Sequence, residues 1–524
     1  MRVLICDPIL NEGIEILKRE FHVDTNIGLS ENDLVNIIKD YDALIVRSGT
    51  NVTEKVIENA YNLKVIGRAG VGVDNIDIKA ATLKGILVVN APEGNTIAAV
   101  EHTIAMMLSM SRKIPQASAS LKNGLWNKKA FMGVEVKGKT LGVIGLGRIG
   151  REVAKRAKAL HMNVVAYDPY ISQDIRKDGI EMVNMETLVS TSDYITLHAP
   201  LTPNTKHILG EKEFEIVKEG VRIINCARGG LIDEKALYNA IIKGRVAGAS
   251  LDVFEEEPAI NNELLKLDQV IATPHLGAST EEAQVNVSID IAKDVIRALK
   301  NQTVKNAVNM MTIKPEEWDE MHPYVMLAEK LGRFYSQFKN GRVREMEIGI
   351  SGNITKYKTS ILIAAALKGL LNEILQEPVN LVNALEVAKQ REIKIIKTTK
   401  IDNIGDYSNL ITLKIISDAD ECIIGGTVFG ENDQRIVMID GYKIDLLPEG
   451  NIIFISHKDK PGMIGSVGTI LGKNDINIAT MQVGRMSPRG GAIMALTVDE
   501  YVDPRILKEI ADTEDIEEIK FLEF

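Results

Sequence analysis

The chain runs to 524 residues, of which 45% are hydrophobic and 26% charged. At about 150 residues per domain this supports about three or four folded domains and excludes a disordered, collagenous or low-complexity protein. A formal net charge of -10 argues against nucleic acid or an anionic membrane as a general partner.

The chain opens on an apolar run, residues 3–6, that reads as a buried strand and meets Asp7 too soon to be a signal peptide. No stretch approaches the ~20 apolar residues needed to cross a bilayer. The three cysteines, Cys6, Cys226 and Cys422, form no CxxC pair and no disulfide framework, which places the protein in a reducing, cytoplasmic setting. Further strands are expected at 43–46, 64–66 and 87–90, then a long buried helix over 97–111. A second series of strands follows at 140–144, 163–167, 194–198, 222–225, 248–251 and 270–273, and a helix over 281–300 leads back toward the first domain. Short β-branched runs alternating with amphipathic helices predict two α/β domains of the Rossmann or flavodoxin type, each on a parallel sheet.

Beyond residue 315 the texture becomes α+β, with strands expected at 345–350 and 410–416 and helices at 359–374 and 380–390. From residue 451 the order is strand, helix, strand, strand, helix, strand, the ferredoxin-like βαββαβ arrangement. The expected domains are 1–97 with 283–312, 98–282, 313–448 and 450–524.

The strand at 140–144 runs into Gly145-Leu146-Gly147-Arg148-Ile149-Gly150 and then a helix. In that context G-x-G-x-x-G is a dinucleotide fingerprint: Gly145 permits the turn, Gly147 lets backbone approach a pyrophosphate, and Gly150 allows close helix packing. The helix N-terminus adds amide donors and positive dipole for the phosphates. Asp168, ending the next strand, suits ribose hydroxyls and repels a 2′-phosphate, so the cofactor expected is NAD. A similar run, Gly67-Arg68-Ala69-Gly70-Val71-Gly72-Val73-Asp74, lacks the third glycine and reads as a substrate-site loop.

A nicotinamide enzyme acting on a hydroxyl needs a proton acceptor, and histidine has the natural pKa. Of eight histidines, His275 is the strongest candidate, because it follows the last strand of the second series in Thr273-Pro274-His275-Leu276-Gly277-Ala278-Ser279-Thr280. His102 reads as a packing residue of a buried helix, His198 as a structural or cofactor-edge residue, and His207 and His322 as having no chemical company. Glu257 is the carboxylate expected beside His275, with Glu255 or Glu256 as alternatives. Arg228, after another strand end, is the expected anchor for a substrate carboxylate.

These motifs together resemble the D-2-hydroxyacid dehydrogenases, in a long form with an intervening domain and a C-terminal ACT domain, over the whole chain. The resemblance implies NAD-dependent oxidation of a small phosphorylated 2-hydroxy acid, 3-phospho-D-glycerate, on the route to L-serine. It makes His275 the acid/base, Glu257 its partner and Arg228 the carboxylate anchor. It puts Gly145, Gly147, Arg148, Ile149, Gly150, Asp168, Ala199, Cys226, Ala227, Arg228, Asp252, His275, Leu276, Gly277 and Ala278 around NAD. Arg47, Ser48 and Asn95, with Arg228, fall on the substrate side. His457, Asp459 and Asn477 become candidates for binding serine as an effector, and a homodimer or homotetramer is implied, with no metal. Two rival readings stay open: a reductase for glyoxylate or hydroxypyruvate, and a non-catalytic NAD(H)-sensing regulator.

Overall fold

Strands β1 (Arg2–Ile5), β2 (His22–Thr25), β3 (Ala43–Val46), β4 (Val65–Arg68) and β5 (Leu87–Asn90) form an all-parallel sheet in the order β2-β1-β3-β4-β5. The computed structural model describes residues 1–171, 179–313, 315–375, 378–400 and 407–524. Val3, Leu4, Ile5 and every residue of β3 are buried, as expected of central parallel strands covered on both faces.

The chain forms two compact units. One holds Met1–Pro8, Glu15–Asn90 and Ile291–Phe524, and the other holds Ile9–Ile14 and Ala91–Asp290. The second unit is built on β6 (Thr140–Ile144), β7 (Asn163–Tyr167), β8 (Glu181–Met182), β9 (Tyr194–Leu197), β10 (Val221–Asn225), β11 (Val246–Leu251) and β12 (Val270–Ala272). Their order is β12-β11-β10-β9-β6-β7-β8, all parallel. The chain turns to opposite sides of β6 to make β7 and β9, and such a switch point opens a crevice at the carboxyl ends of the strands. Helix Thr96–Arg112 buries Val100, Met106, Met107 and Met110 against this sheet.

In the first unit, β13 (Val343–Gly352), β14 (Lys394–Lys400), β15 (Asn409–Ser417), β16 (Glu421–Phe429), β17 (Asp433–Ile439) and β18 (Tyr442–Leu446) form a six-stranded mixed sheet. The C-terminal β19 (Asn451–Lys458), β20 (Ile478–Arg485), β21 (Gly491–Val498) and β22 (Ile516–Glu523) form an antiparallel sheet in the order β20-β21-β19-β22. The period of two along β19 sends Ile453 and Ile455 toward the helices Met463–Lys473 and Pro504–Ala511, and Ile452 and Phe454 to the opposite face. That opposite face is not solvated. Phe454 packs edge-on against Phe334 and Phe338, with ring centroids 5.8 and 4.8 Å apart.

Both phenylalanines belong to helix Pro315–Phe338, which the sequence reading missed. Pro323 lies inside it, a residue that normally ends a helix. Apolar side chains also occur on more than one face, because the helix serves two sheets at once. Among the described residues no helix is long and apolar enough to cross a membrane.

Candidate active site

Three neighbouring strands, β10, β11 and β12, end in loops that carry Arg228, Glu257 and His275. Asn225 ties the first loop: its Nδ2 donates to Arg228 O at 2.8 Å and its Oδ1 accepts from Ala227 N at 3.1 Å. The first loop lies directly on the second, because a Cβ on Gly229 would overlap the carbonyl of Phe254. Glu257 Oε1 accepts from Phe254 N at 3.1 Å, which orients its other oxygen.

That oxygen, Oε2, lies 2.9 Å from His275 Nδ1. A carboxylate only accepts, so Nδ1 carries the hydrogen and Nε2 keeps its lone pair. The imidazole is 48% exposed, open to a ligand. The bond to Glu257 raises the His275 pKa; burial opposes this, the Asp252 charge adds to it and Arg228 works against it. Glu257, which burial pushes up, is held lower overall by His275 and Phe254 N. Glu255 is engaged elsewhere: its Oε1 lies 3.0 Å from His207 Nε2, so His207 does have a chemical partner, contrary to the sequence reading.

Behind His275 lies a buried centre that the sequence reading credited only as a cofactor contact. Asp252, with 0% side-chain exposure, accepts from Thr273 Oγ1 at 2.6 Å, Leu276 N at 2.7 Å and Gly277 N at 2.8 Å. His102 Nε2 reaches the same Asp252 oxygen at 3.2 Å. His102 is thus more than a packing residue. Cys226 is a thiol rather than a thiolate, pushed up to about 12 by burial and by Asp252.

The nucleotide fingerprint is formed at the β6 end. Gly145 has φ +90°, and a Cβ there would strike the backbone of His198 and Ala199, at 2.7 Å from the His198 carbonyl oxygen. A Cβ on Gly147 would meet nothing within 4 Å, so this side of the loop has room for a phosphate at the N-terminus of helix Arg148–Ala159. Both Asp168 oxygens accept hydrogen bonds, from Leu146 N at 2.9 Å and Tyr170 N at 3.0 Å, which ties the end of β7 to the glycine loop. These features fit NAD. Arg148 pairs at 3.6 Å with Glu93, Ile149 packs on the core, and Ala278 O accepts from Gln284 at 2.8 Å. His198 donates or accepts at Thr196 Oγ1, 2.9 Å away, and burial pushes it down to about 3, so it is neutral.

In the other unit, Arg47 and Ser48 follow β3. Asp7, at 5% exposure, clamps their loop by accepting from Arg47 N at 2.5 Å, Thr50 N at 3.1 Å and Thr50 Oγ1 at 2.9 Å. Asn75 donates to the Arg47 and Thr50 carbonyls at 2.6 and 2.5 Å, so it joins the Gly67–Asp74 stretch to this loop. The sequence reading had no role for Asp7 or for the Asn75 side chain. Asn95, in the unit with the nucleotide loop, leaves a buried Oδ1 without a hydrogen bond.

In the C-terminal sheet, His457 is 2% exposed. Its Nδ1 lies 2.8 Å from the Lys458 carbonyl, so Nδ1 donates, and the acceptor Nε2 is buried without a partner. Asp459 is engaged by Arg485 at 3.2 Å and Arg489 N at 3.0 Å, and Asn477 by Asp499 at 2.6 Å.

Comparison with known proteins identifies three of the chain's regions. Residues 104–277 match the D-isomer specific 2-hydroxyacid dehydrogenase NAD binding domain. Residues 320–440 match the D-3-phosphoglycerate dehydrogenase intervening domain, and 451–515 the ACT domain. Among solved structures, a glyoxylate reductase from Paecilomyes thermophila is similar at TM-score 0.56 and 30% identity, over 60% of this chain and 99% of that one. D-lactate dehydrogenase from Aquifex aeolicus, complexed with NAD and lactic acid, gives TM-score 0.53 and 28% identity over 57% and 96%. The fold and the nucleotide site therefore define an NAD-dependent oxidoreductase of the D-isomer specific 2-hydroxyacid dehydrogenase class.

Full-length relatives narrow this further. D-3-phosphoglycerate dehydrogenase from Archaeoglobus fulgidus is 47% identical over 100% of both chains, and that from Bacillus subtilis 44% over 100% and 99%. The chain belongs to the D-3-phosphoglycerate dehydrogenase family.

Proposed function

We propose that the chain oxidises 3-phospho-D-glycerate to 3-phosphohydroxypyruvate, the first step of the phosphorylated route to L-serine, with His275, Glu257 and Arg228 as its working residues. The His275–Glu257 pair, formed by the loops after neighbouring strands β12 and β11 and under the charge of Arg228, carries this reading. Bound NAD supplies the hydride acceptor. His275 Nε2 takes the hydroxyl proton as C2 loses its hydride, and returns it in the reverse direction. Glu257 holds the ring in the tautomer that leaves Nε2 basic and stabilises the imidazolium that forms. Arg228 grips the substrate carboxylate and opposes charge building on the reacting oxygen. Arg47, Ser48 and Asn95 are donors for the anionic groups of the substrate.

The division of labour follows the chain. Residues 1–97 with 283–312 bind substrate, 98–282 hold NAD, and 313–448 with 450–524 regulate. Serine is the effector of the ACT domain, and the buried lone pair of His457 Nε2 is the acceptor for its ammonium or hydroxyl. The protein works as a homo-oligomer: Leu121, in the last turn of helix Ile114–Lys122, and Leu125 and Trp126 just after it stand 55%, 63% and 77% exposed, apolar side chains available to a second copy.

A steady-state assay with phosphohydroxypyruvate and NADH, with and without serine, tests the whole reading. Turnover with the phosphorylated keto acid well above that with glyoxylate or unphosphorylated hydroxypyruvate is expected. Absence of NADH-linked turnover, or a preference for an unphosphorylated acid, overturns it.

A further inference from the structure

We propose that His102 is a positioning residue for the proton-transfer step, acting through Asp252 to hold His275 in its working pose. The proposal rests on the acid/base reading of His275. His275 has φ +56°, a left-handed backbone uncommon for a residue with a Cβ, and it needs fixed hydrogen-bond partners to be held in one pose. Asp252 supplies them. The His275 N–H donates to the Asp252 carbonyl at 2.9 Å, and the next two N–H groups, of Leu276 and Gly277, donate to the two oxygens of the Asp252 carboxylate at 2.7 and 2.8 Å. Three consecutive amides therefore bond to one buried residue, the first of them shared with the Thr273 carbonyl at 3.0 Å.

The carboxylate needs an orientation of its own. Thr273 Oγ1 supplies part of it from the same loop, at 2.6 Å. His102 supplies the rest from helix Thr96–Arg112, its Nε2 lying 3.2 Å from both Asp252 Oδ1 and Thr273 Oγ1. That helix is anchored in the core of its unit by Met106, Met107 and Met110. The contact thus references a loop carboxylate to a rigid element, which keeps a catalytic group in register. Burial by itself would push the Asp252 carboxyl up; the bonds from His102, Thr273 and Leu276 N–H outweigh it and hold the group lower. Without His102, Thr273 Oγ1 loses the hydrogen bond that aims it at Asp252, Asp252 Oδ1 loses a polar neighbour 3.2 Å away in a fully buried site, and the amides that shape His275 lose their fixed acceptor.

The test compares His102→Leu, which fills space without a donor, with His102→Gln, whose Nε2 can replace the imidazole Nε2, in the full-length protein. Reduction of phosphohydroxypyruvate by NADH is followed at steady state, with NADH affinity measured separately. His102→Leu is expected to lower kcat by about tenfold to a hundredfold, the value of a hydrogen bond to a buried charge, while KM and NADH affinity stay within about threefold. His102→Gln is expected to recover kcat to within about threefold of wild type. If His102→Leu does not fold, His102→Met takes its place. A kcat within threefold of wild type without the donor, equal losses in the Leu and Gln variants, or a loss confined to NADH affinity overturns the proposal. His275→Ala separates the two layers. If it keeps full turnover, the acid/base reading falls and this proposal with it; if it is inactive beside an unimpaired His102→Leu, only the positioning role falls.

Discussion

His275 Nδ1 lies 2.9 Å from Glu257 Oε2, and that hydrogen bond is the largest influence on the imidazole, raising its pKa above the ordinary histidine value. With His275 as the proposed acid/base, oxidation requires the neutral ring, so its rate falls as pH drops through the raised pKa. Reduction requires the protonated ring, so its rate falls as pH rises through it. In Glu257→Gln the main raising influence is gone, and both limbs move to lower pH. The turnover number also falls by about a hundredfold, because the ring loses its oriented tautomer. pH profiles of kcat/KM in the two directions check this; limbs that stay in place, or move upward, contradict it.

Arg228 has its backbone carbonyl fixed by Asn225 and its Nη1 donating to Ala227 O at 2.7 Å, so its guanidinium is preset before substrate arrives. Lysine keeps the charge and loses the paired, planar donors. Arg228→Lys is expected to lower kcat/KM by about a hundredfold to a thousandfold. Loss only in KM would show that the arginine binds substrate without assisting the reaction.

Asp7 collects two backbone N–H groups and a hydroxyl from the Arg47–Thr50 loop. Removing the acceptor leaves those donors buried and unmatched, so Asp7→Ala is expected to destabilise by about 1–3 kcal/mol in urea unfolding. It should also raise KM for the phosphorylated acid through the freed Arg47 loop. Unchanged stability together with unchanged KM would mean that the loop holds its shape without the clamp.

His457 presents a buried, unpartnered Nε2 acceptor. If serine donates to it, His457→Ala should raise the serine concentration needed for half-maximal effect by about tenfold or more, as read from a dose-response curve or from calorimetry. An unaltered response moves the effector site elsewhere in the ACT domain.

Phe454 joins the C-terminal sheet to helix Pro315–Phe338 through edge-on contacts with Phe334 and Phe338. Phe454→Ala is expected to cost about 3–5 kcal/mol, the range for a large aromatic removed from a packed core. Because that core is shared, the C-terminal sheet and the intervening sheet should lose stability together in thermal or urea unfolding. Separate transitions with only one of them shifted would show that the two sheets fold independently.

The alternation of strands and helices, the glycine fingerprint with Asp168 and the strand-end placement of Arg228, Glu257 and His275 were legible in the chain because each is a local pattern. Gly145, Gly147 and Gly150 act within one turn, and a strand end can be located from the apolar run before it. The helix Pro315–Phe338 was not legible. Its internal proline and its contacts on several sides erase the single-faced period by which a surface helix is recognised.

The sequence by itself determined the α/β class, the nucleotide-binding turn and the list of groups able to do the chemistry. It favoured Glu257, next to Pro258, and left Glu255 and Glu256 open as alternatives. Only the tertiary structure decided among them, because the loop turns Glu257 toward His275 and Glu255 toward His207. It also decided the supports. His102 meets Thr273 across 171 positions, and Asp7 meets Thr50 across 43. Such contacts depend on where the fold brings distant segments together, and hydrogen bonds a few ångströms long leave no periodic trace in the sequence.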